Sequence, residues 1–207
     1  MEEQLEATQE KPKRRLAYNV IKRLIDIILA SMGIIFTLPL IFIFGIAIKC
    51  ESKGSCLYSQ KRVGKAGVHF TIYKLRSMYV DAERAGPQWA QQDDPRITKV
   101  GKIIRKTRID EIPQLINILK GDMSVVGPRP ERPYFMNKFC EEIPRYIDRL
   151  QVKPGLTGVA QVDGGYELTP KGKLEKDLYY IDNRSLWLDI KIIIKTVKIV
   201  FTGKGAR

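Results

Sequence analysis

The longest uncharged segment of the chain constrains its fold most. Ile27 to Ile48 contains 22 residues without a charged side chain. As an α-helix this segment would be about 33 Å long, which is enough to cross the hydrocarbon core of a bilayer. A signal peptide is a poorer explanation, because the segment is long for the apolar part of one and no small-x-small cleavage site follows it. The segment therefore predicts contact with a membrane.

Basic residues flank this segment on both sides. The preceding ones are Lys11, Lys13, Arg14, Arg15, Lys22 and Arg23, and the following ones are Lys49, Lys53, Lys61, Arg62 and Lys65. Such flanks favour a cytoplasmic position for both ends, which a helix that breaks midway and returns can satisfy. Pro39 lies near the middle and removes a backbone donor, and we expect the Thr37 hydroxyl to help satisfy the carbonyl that it frees. Two topologies remain open, a re-entrant helix broken at Pro39 and a kinked transmembrane span.

Charge and composition narrow the possible chemistry. Thirty-six Lys and Arg against 23 Asp and Glu give a net charge of +13, so the chain should bind an anionic bilayer, phosphorylated substrates or nucleic acid. His69 is the one histidine, which leaves little for a His-based triad or a multi-His metal site. The three cysteines form no CxxC pair, which argues against a disulfide framework and a structural zinc site. Carboxylates and cations must therefore do any chemistry.

Local patterns predict the remaining elements. Asp26, at the polar edge of the apolar segment, is expected to pair with Lys22 or Arg23. A β-hairpin is predicted over 57–73, helices over 78–85, 100–106 and 110–120, and loops over 88–95, 127–130 and 154–158. Residues 185–201 predict an amphipathic helix with a lysine stripe, which either packs on the core or lies in the headgroup plane of an anionic leaflet. The apolar segment favours the membrane interface.

Opposite charges meet at one point of the sequence. Residues 96–108 contain six cations and no acid, and Asp110 and Glu111 follow at once. A helix N-terminus with neighbouring cations keeps a carboxylate ionised and can bind phosphate oxygens. One carboxylate of such a pair can attack phosphorus while the other holds magnesium. Two acids in a first turn can also merely stabilise the helix dipole, so the pair alone leaves both interpretations open.

A longer set of motifs decides between them. The motifs, in order, are KLRSM (74–78), DPRITKVG (94–101), IDEIPQLINILKGDMSVVGPRPERP (109–133), VKPGLTGVAQV (152–162) and DLYYI (177–181). Together they resemble the bacterial sugar transferase family, the monotopic phosphoglycosyl transferases that start glycan assembly on polyprenol phosphate. The resemblance runs from the pattern Lys22, Arg23 and Asp26 to the end of the chain. With 207 residues, the chain is expected to be the minimal form.

The resemblance implies an α/β fold with mostly helical content. It places a cytoplasmic N-terminal tail at 1–16, a re-entrant membrane helix-break-helix at 17–50, a catalytic domain with a short β-hairpin at 51–183, and an amphipathic interfacial helix with a tail at 184–207. The implied location is the bacterial cytoplasmic membrane, with the catalytic domain facing the cytoplasm.

The resemblance also implies a reaction. The family moves phosphosugar from a nucleotide-activated sugar, usually a UDP-sugar, to undecaprenyl phosphate and releases UMP by a ping-pong route. By carry-over, Asp110 attacks the β-phosphorus to form a covalent phosphosugar intermediate, and Glu111 helps to bind Mg²⁺. The expected partners are the UDP-sugar, undecaprenyl phosphate and anionic membrane lipids, without nucleic acid; exposed apolar helices would also allow a homodimer.

Further site residues follow from the same resemblance. Arg129 is the best phosphate clamp, with pairing to Glu131 as its alternative. Lys74, Arg76 and Asp177 match polar site positions of the family. Arg149 and Lys153 flank a Pro-Gly loop suited to close approach of a nucleotide or phosphate, or they form a solvated surface pair.

The chain departs from the family pattern at two places. Leu38 precedes Pro39 where small members have serine, and Arg108-Ile109 precedes the acidic pair where Ser-Leu is usual. The added cation either strengthens phosphate binding or faces the lipid headgroups. Two rivals stay open beside the family's reaction: a membrane-anchored basic adaptor without catalysis, and a phosphotransferase that uses a different donor.

Overall fold

The computed structural model describes residues 2–84, 86, 88 and 94–202, and it gives the backbone alone for 2–15, 166 and 201. The helices are α1 (Glu2–Glu51), α2 (Lys99–Lys106), α3 (Leu115–Lys120), α4 (Pro133–Glu142), α5 (Val159–Asp163), α6 (Pro170–Asn183) and α7 (Leu186–Thr202). The strands are β1 (Leu57–Val63), β2 (His69–Leu75), β3 (Ser124–Val126) and β4 (Gly155–Thr157). Short 3₁₀ segments cover Lys65–Gly67, Ile109–Gln114, Tyr146–Gln151 and Gly165–Glu167. The fold is therefore mostly helical, as expected.

Helix α1 contains the uncharged segment and continues through Pro39 without interruption. The predicted break at Pro39 is therefore not seen as an interruption of the helix, because the hydrogen-bonded turns on either side carry it past the missing N–H. The choice between a re-entrant helix and a kinked span stays a prediction. The Thr37 hydroxyl donates to the Gly33 carbonyl at 2.6 Å, two residues before the Ile35 carbonyl that Pro39 leaves free. Helix α1 begins at Glu2. Residues 2–16 of the predicted tail therefore belong to the same helix as the predicted membrane segment.

The middle of α1 is a bare apolar surface. Within the described residues, Leu16–Glu51 is the one helical stretch long and apolar enough to cross a membrane, with a mean hydropathy of 2.6 in its most apolar window. Four side chains there, Ile35, Phe36, Leu38 and Phe42, are 59–73% exposed. A continuous apolar surface of this size needs a covering medium.

The N-terminal part of the segment is tied to the domain through polar contacts. The buried Asp26 carboxylate accepts from the Val125 N–H at 2.9 Å and the Ser124 hydroxyl at 3.1 Å. Lys22 instead binds Asp189 of α7 at 3.0 Å, and Arg23 donates to the last carbonyls of α3. The predicted pairing of Asp26 with Lys22 or Arg23 is therefore wrong, because unpaired backbone groups of β3 and α3 lie nearer to these side chains.

The C-terminal end of α1 is tied to the same domain. The Glu51 carboxylate accepts from the first N–H groups of α2, those of Lys99 and Val100, at 2.6 and 2.8 Å. Ile48 is buried against Leu75 and Ile104. The polar edges of the uncharged segment, Asp26 and Glu51, thus both contact one folded unit.

Two pairs of strands stiffen this unit. The predicted hairpin is confirmed, since β1 and β2 pair antiparallel. Strands β3 and β4 form a short parallel pair that the sequence did not indicate, because each has three residues and the second lies in a predicted loop. Their approach depends on glycine: a Cβ on Gly155 would lie 2.1 Å from the Gly127 nitrogen. The parallel pair therefore brings the residues that follow β3 close to the residues that follow β4.

Two predicted helices need correction. Residues 78–84 form a bridge from Met78 to Ile97 and then turns, without a helix among the described residues of 78–85. The predicted helix 110–120 is divided into the 3₁₀ segment Ile109–Gln114 and α3. Pro113 has no N–H with which to continue an α-helical ladder, so the acidic pair lies in the tighter 3₁₀ turn. The predicted short helix 100–106 is confirmed as α2.

Helix α7 has two faces, as an amphipathic helix should. Ile192 is buried in the core, whereas Trp187 and Ile194 are 64% and 63% exposed. Asp189 is buried and accepts from Tyr18 and Lys22 of α1. Helix α7 therefore packs on the core with one face and against α1 with another, and leaves an apolar strip uncovered.

Candidate active site

The acidic pair lies where four elements meet. The 3₁₀ segment supplies Asp110 and Glu111, the end of β2 supplies Lys74, and the loop after β3 supplies Arg129. A cavity of about 570 Å³ opens beside them, and Asp110, Lys74 and Arg129 line it. Residues far apart in sequence thus surround one space large enough for a ligand of nucleotide size.

Glu111 is held by two cations. Lys74 donates to its carboxylate at 2.7 Å, and Arg129 contacts both carboxylate oxygens. Burial opposes the ionisation of Glu111, but Arg129 and Lys74 outweigh it and hold its pKa well below the usual range. Arg129 therefore pairs with Glu111, and its predicted alternative partner Glu131 is not the one it contacts in the structure. The structure thus places two of the predicted site residues, Lys74 and Arg129, in direct contact with Glu111.

Asp110 has a different environment from its neighbour. Its side chain is buried at the cavity wall, and no described residue donates a hydrogen bond to its carboxylate. Burial raises the pKa of Asp110 to about 6, an effect that Lys74 opposes and Glu111 reinforces. A carboxylate without hydrogen bonds is a better nucleophile than a solvated or paired one. The surroundings of the two acids thus shift their pKa values in opposite directions.

The cavity is strongly electropositive. Among the described residues, ten cationic side chains line it against three acidic ones. The cations are Arg62, Lys74, Arg76, Arg96, Arg105, Arg108, Arg129, Arg132, Arg149 and Lys173. Burial and the neighbouring Arg129 lower the pKa of Arg62 to about 10, which shows that like charges are crowded there. Such crowding is relieved by an anionic ligand such as a pyrophosphate.

Arg149 and Asp177 form a buried ion pair. The Arg149 guanidinium donates to the Asp177 carboxylate at 2.6 and 3.0 Å, and it also donates to the Arg129 carbonyl at 2.9 Å. Arg149 is therefore not a solvated surface residue, as one interpretation of the sequence had it. Its contact with the Arg129 backbone indicates that the pair positions the loop that carries Arg129.

Two other predicted site residues lie away from the acidic pair. The Arg76 guanidinium lines the cavity but donates to the carbonyls of Ser52 and Lys53 at 2.8 and 2.6 Å, where it closes the end of α1. Lys153 does not line the cavity, and burial together with the cation Arg23 lowers its pKa. The structure thus places Arg76 at the junction with α1 and Lys153 beside the N-terminal part of that helix.

Several cavity residues escaped the motif-based prediction. Arg62, Arg132, Lys173 and Gln161 all line the cavity. Arg62 had a detectable signal, since Tyr58, Gln60 and Arg62 alternate along β1 and alternate residues of a strand share a face. Gln161 lies within the quoted motif 152–162 but was not singled out there. Its amide nitrogen and oxygen are both buried and have no hydrogen-bond partner among the described residues. A buried amide without a partner is costly, which suits a site that a polar ligand completes.

The carboxylates fit a magnesium ion only together with a substrate. The described residues contain no group of three or more His, Cys, Asp or Glu side chains that would hold a metal ion. Mg²⁺, however, is commonly bound by one or two carboxylates together with substrate phosphates. Two groups beside the cavity offer that donor set. One is the Asp110 carboxylate, and the other is the Glu111 oxygen that Arg129 contacts at 3.4 Å.

Comparison with known proteins assigns the chain to a family. The family described as "Bacterial sugar transferase" matches residues 17–203. A relative from Aeromonas hydrophila, named UDP-N-acetylgalactosamine-undecaprenyl-phosphate N-acetylgalactosaminephosphotransferase, is 49% identical over 92% of this chain and 46% of its own length. A Bacillus subtilis relative, named a putative undecaprenyl-phosphate N-acetylgalactosaminyl 1-phosphate transferase, is 55% identical over 68% of this chain and 77% of its own.

A third relative is from Caulobacter vibrioides. It is named UDP-glucose:undecaprenyl-phosphate glucose-1-phosphate transferase and is 40% identical over 94% of this chain and 75% of its own length. The chain thus spans about half of the Aeromonas protein and about three quarters of the other two. From the motifs, the match over nearly the whole sequence and these relatives, the chain belongs to the bacterial sugar transferase family.

Proposed function

We propose that this chain is an enzyme that transfers phosphosugar from a UDP-sugar to undecaprenyl phosphate, with release of UMP. The observation that carries the proposal is the buried carboxylate of Asp110, which accepts no hydrogen bond from the described residues and lies in the wall of a cation-lined cavity next to a membrane-type helix. The relatives named above act on undecaprenyl phosphate according to their names. Donor, acceptor and nucleophile would meet at this wall.

The reaction would proceed in two displacements at phosphorus. An Asp110 oxygen forms a bond to the β-phosphorus of the donor, and the bond from that phosphorus to the bridging oxygen breaks, so that UMP leaves with the electron pair. An oxygen of the lipid phosphate then bonds to the same phosphorus, and the bond to Asp110 breaks. The raised pKa of Asp110 supports this role, because burial makes the carboxylate a poorly solvated nucleophile.

The surrounding cations would neutralise the phosphates. Phosphoryl transfer depends mainly on positioning and charge stabilisation. Lys74 and Arg129 fix Glu111 beside the nucleophile, and the Arg149–Asp177 pair holds the loop of Arg129. Glu111 would hold Mg²⁺ together with substrate oxygens, and the ion, when bound, neutralises charge on the pyrophosphate.

We further propose that α1 enters and leaves the cytoplasmic leaflet on one side. The support is that Asp26 and Glu51, at opposite ends of the uncharged segment, both bond to the same domain. A straight span would put these ends about 30 Å apart on opposite faces of the bilayer, where one cytoplasmic domain cannot reach both. Helix α7 would lie in the headgroup plane, with Trp187 and Ile194 in the lipid and Lys191 and Lys198 among anionic headgroups.

Cysteine accessibility tests this topology. Cys50 is exposed near the end of α1, and a Leu16→Cys substitution provides an exposed site before the segment. With the other cysteines replaced, a membrane-impermeant maleimide should label both positions from the same side of sealed vesicles. Labelling from opposite sides would show a transmembrane span instead.

The activity is tested with the full chain in nanodiscs. With Mg²⁺ and a panel of UDP-sugars, we expect UMP release from at least one donor, and a covalent phosphosugar adduct when undecaprenyl phosphate is left out. Asp110→Asn should abolish both signals, whereas Asp182→Asn, an exposed acid that does not line the cavity, should leave them unchanged. The panel also identifies the sugar. Absence of UMP with every donor, for a folded protein, would favour a non-catalytic adaptor or a different donor class.

A further inference from the structure

Arg108 lies close to the proposed nucleophile, Asp110. It lines the cavity two residues before Asp110, and its carbonyl accepts from the Glu111 N–H at 3.1 Å. This bond closes the first turn of the 3₁₀ segment. The Arg108 side chain and the acidic pair are therefore fixed in one short piece of backbone.

The backbone of Arg108 is left-handed, with φ 57° and ψ 16°. Glycine and asparagine adopt this conformation most readily, whereas other side chains pay a free-energy cost. The turn itself needs only the backbone of this residue, so a glycine would serve it better. Strained residues of this kind cluster at functional sites, which directs attention to the side chain of Arg108.

The segment that carries Arg108 lies on the side of the cavity nearest to α1. Ile104, on the preceding helix α2, is buried in a cluster with Ile48 of α1. Leu115, just after the 3₁₀ segment, lies so close to α1 that a Cβ on Gly33 would be 2.8 Å from it. Ile103 of α2 is 54% exposed. This segment is thus packed onto the apolar helix and adds apolar surface to it.

Three other cations of the cavity come from parts of the chain that do not pack substantially against α1. Arg62 lies on β1, Arg132 just before α4, and Lys173 on α6. None of these three elements is among those that pack substantially against α1. The cavity therefore has one cationic wall on the domain side and another, which includes Arg108, on the side of the membrane helix.

We propose that Arg108 binds the phosphate of the lipid acceptor during the second displacement. This inference rests on the proposed function, in which two phosphorylated substrates use Asp110 in turn. The lipid chain of the acceptor stays in the bilayer, so its phosphate reaches Asp110 past α1 and α2, where Arg108 lies. An arginine there binds two phosphate oxygens at once. It reduces the charge repulsion as the acceptor oxygen bonds to phosphorus and the Asp110 carboxylate leaves.

The experiment compares two substitutions that change the net charge equally. Arg108→Asn removes the guanidinium and keeps a residue that tolerates the left-handed backbone. Lys106→Asn removes an exposed cation of the same basic run that does not line the cavity. Arg108→Lys keeps the charge without the two-pronged contact. All are studied as full chains in nanodiscs of one anionic lipid composition.

Two readouts separate the half-reactions. The first is the burst of UMP from the UDP-sugar without acceptor, and the second is the KM for undecaprenyl phosphate in turnover. For Arg108→Asn we expect a rise in this KM of about 10- to 100-fold, the usual effect of losing a charged hydrogen bond, with the burst rate within about twofold of the unaltered chain. Arg108→Lys should lie between, and Lys106→Asn should change neither readout.

Four results would overturn the proposal. A burst slowed as much as the acceptor step would assign Arg108 to the donor. No effect on either step would mean that Arg108 does not bind the acceptor. Equal effects of Arg108→Asn and Lys106→Asn on the KM would mean that Arg108 contributes only general positive charge toward the headgroups. An unaltered chain without any burst would instead refute the proposed function, and this inference with it.

Discussion

The adjacent acids Asp110 and Glu111 should respond in opposite ways when each is replaced by its amide. Burial raises the pKa of Asp110 from its ordinary 3.8 to about 6, a difference of about 2 units or about 3 kcal/mol. Because the folded-state pKa lies above that of the unfolded chain, the folded state binds this proton more tightly. Ionised Asp110 therefore destabilises the fold fully above pH 6, and this effect disappears as the pH falls below about 4.

Asp110→Asn removes this destabilisation and should be more stable than the unaltered chain at pH 8. The gain is at most about 3 kcal/mol, or up to about 10 °C in the unfolding midpoint of a chain of this size. Glu111→Gln should do the reverse, because its charge is bound by Lys74 and Arg129. Leaving these two cations opposite a neutral amide is expected to cost about 2 kcal/mol.

Thermal unfolding in detergent, followed by circular dichroism, measures both effects. At pH 8 the order of midpoints should be Asp110→Asn, then the unaltered chain, then Glu111→Gln. The advantage of Asp110→Asn should stay constant between pH 8 and about pH 6 and shrink between about pH 6 and pH 4, while the same variant shows no UMP release at any pH. An Asp110→Asn protein less stable than the unaltered chain at pH 8, or an advantage that does not depend on pH, would refute the argument that burial destabilises this charge.

Three further outcomes are expected. First, kcat/KM for the donor should fall tenfold per pH unit below about pH 6, since Asp110 must be ionised to attack; a flat profile down to pH 5 would contradict its role. Second, Arg149→Met should lower stability by about 3–5 kcal/mol, because it leaves the buried Asp177 charge unpaired; adding Asp177→Leu should restore much of the loss in the same unfolding assay. Third, Gly155→Ala should prevent folding, since its Cβ would lie 2.1 Å from a backbone nitrogen across the parallel strand pair. The control Gly45→Ala meets nothing closer than 3.8 Å, and equal folded yields for the two variants would contradict the packing argument.

Local patterns in the sequence predicted the elements that depend on near neighbours. The apolar segment of α1, the β1–β2 hairpin, α2 and the amphipathic α7 are all confirmed. The predicted break at Pro39 is not seen as an interruption of α1, although proline does remove one hydrogen bond. One missing bond weakens a long helix without ending it, so the residue type alone does not fix the outcome.

Long-range pairings in the site were beyond such patterns. Arg149 and Asp177 are 28 residues apart and form an ion pair with exposed fractions of 3% and 1%. Arg76 lines the cavity as expected, but its guanidinium also closes the end of α1. The acid with which an arginine pairs depends on how whole elements pack together. A chain with 23 Asp and Glu residues offers several possible partners to each arginine.

The sequence by itself determined the membrane-type helix, the basic character of the chain, the adjacent acids and, through its motifs, the family. These features are properties of residue type and short spacing, which survive any arrangement of the elements. Only the tertiary structure decided that Asp110 is buried and accepts no hydrogen bond from the part of the chain that the structure describes, while Glu111 is held by Lys74 and Arg129. The physical reason is that a carboxylate's pKa and reactivity depend on burial and on the charges around it, and distant segments supply both.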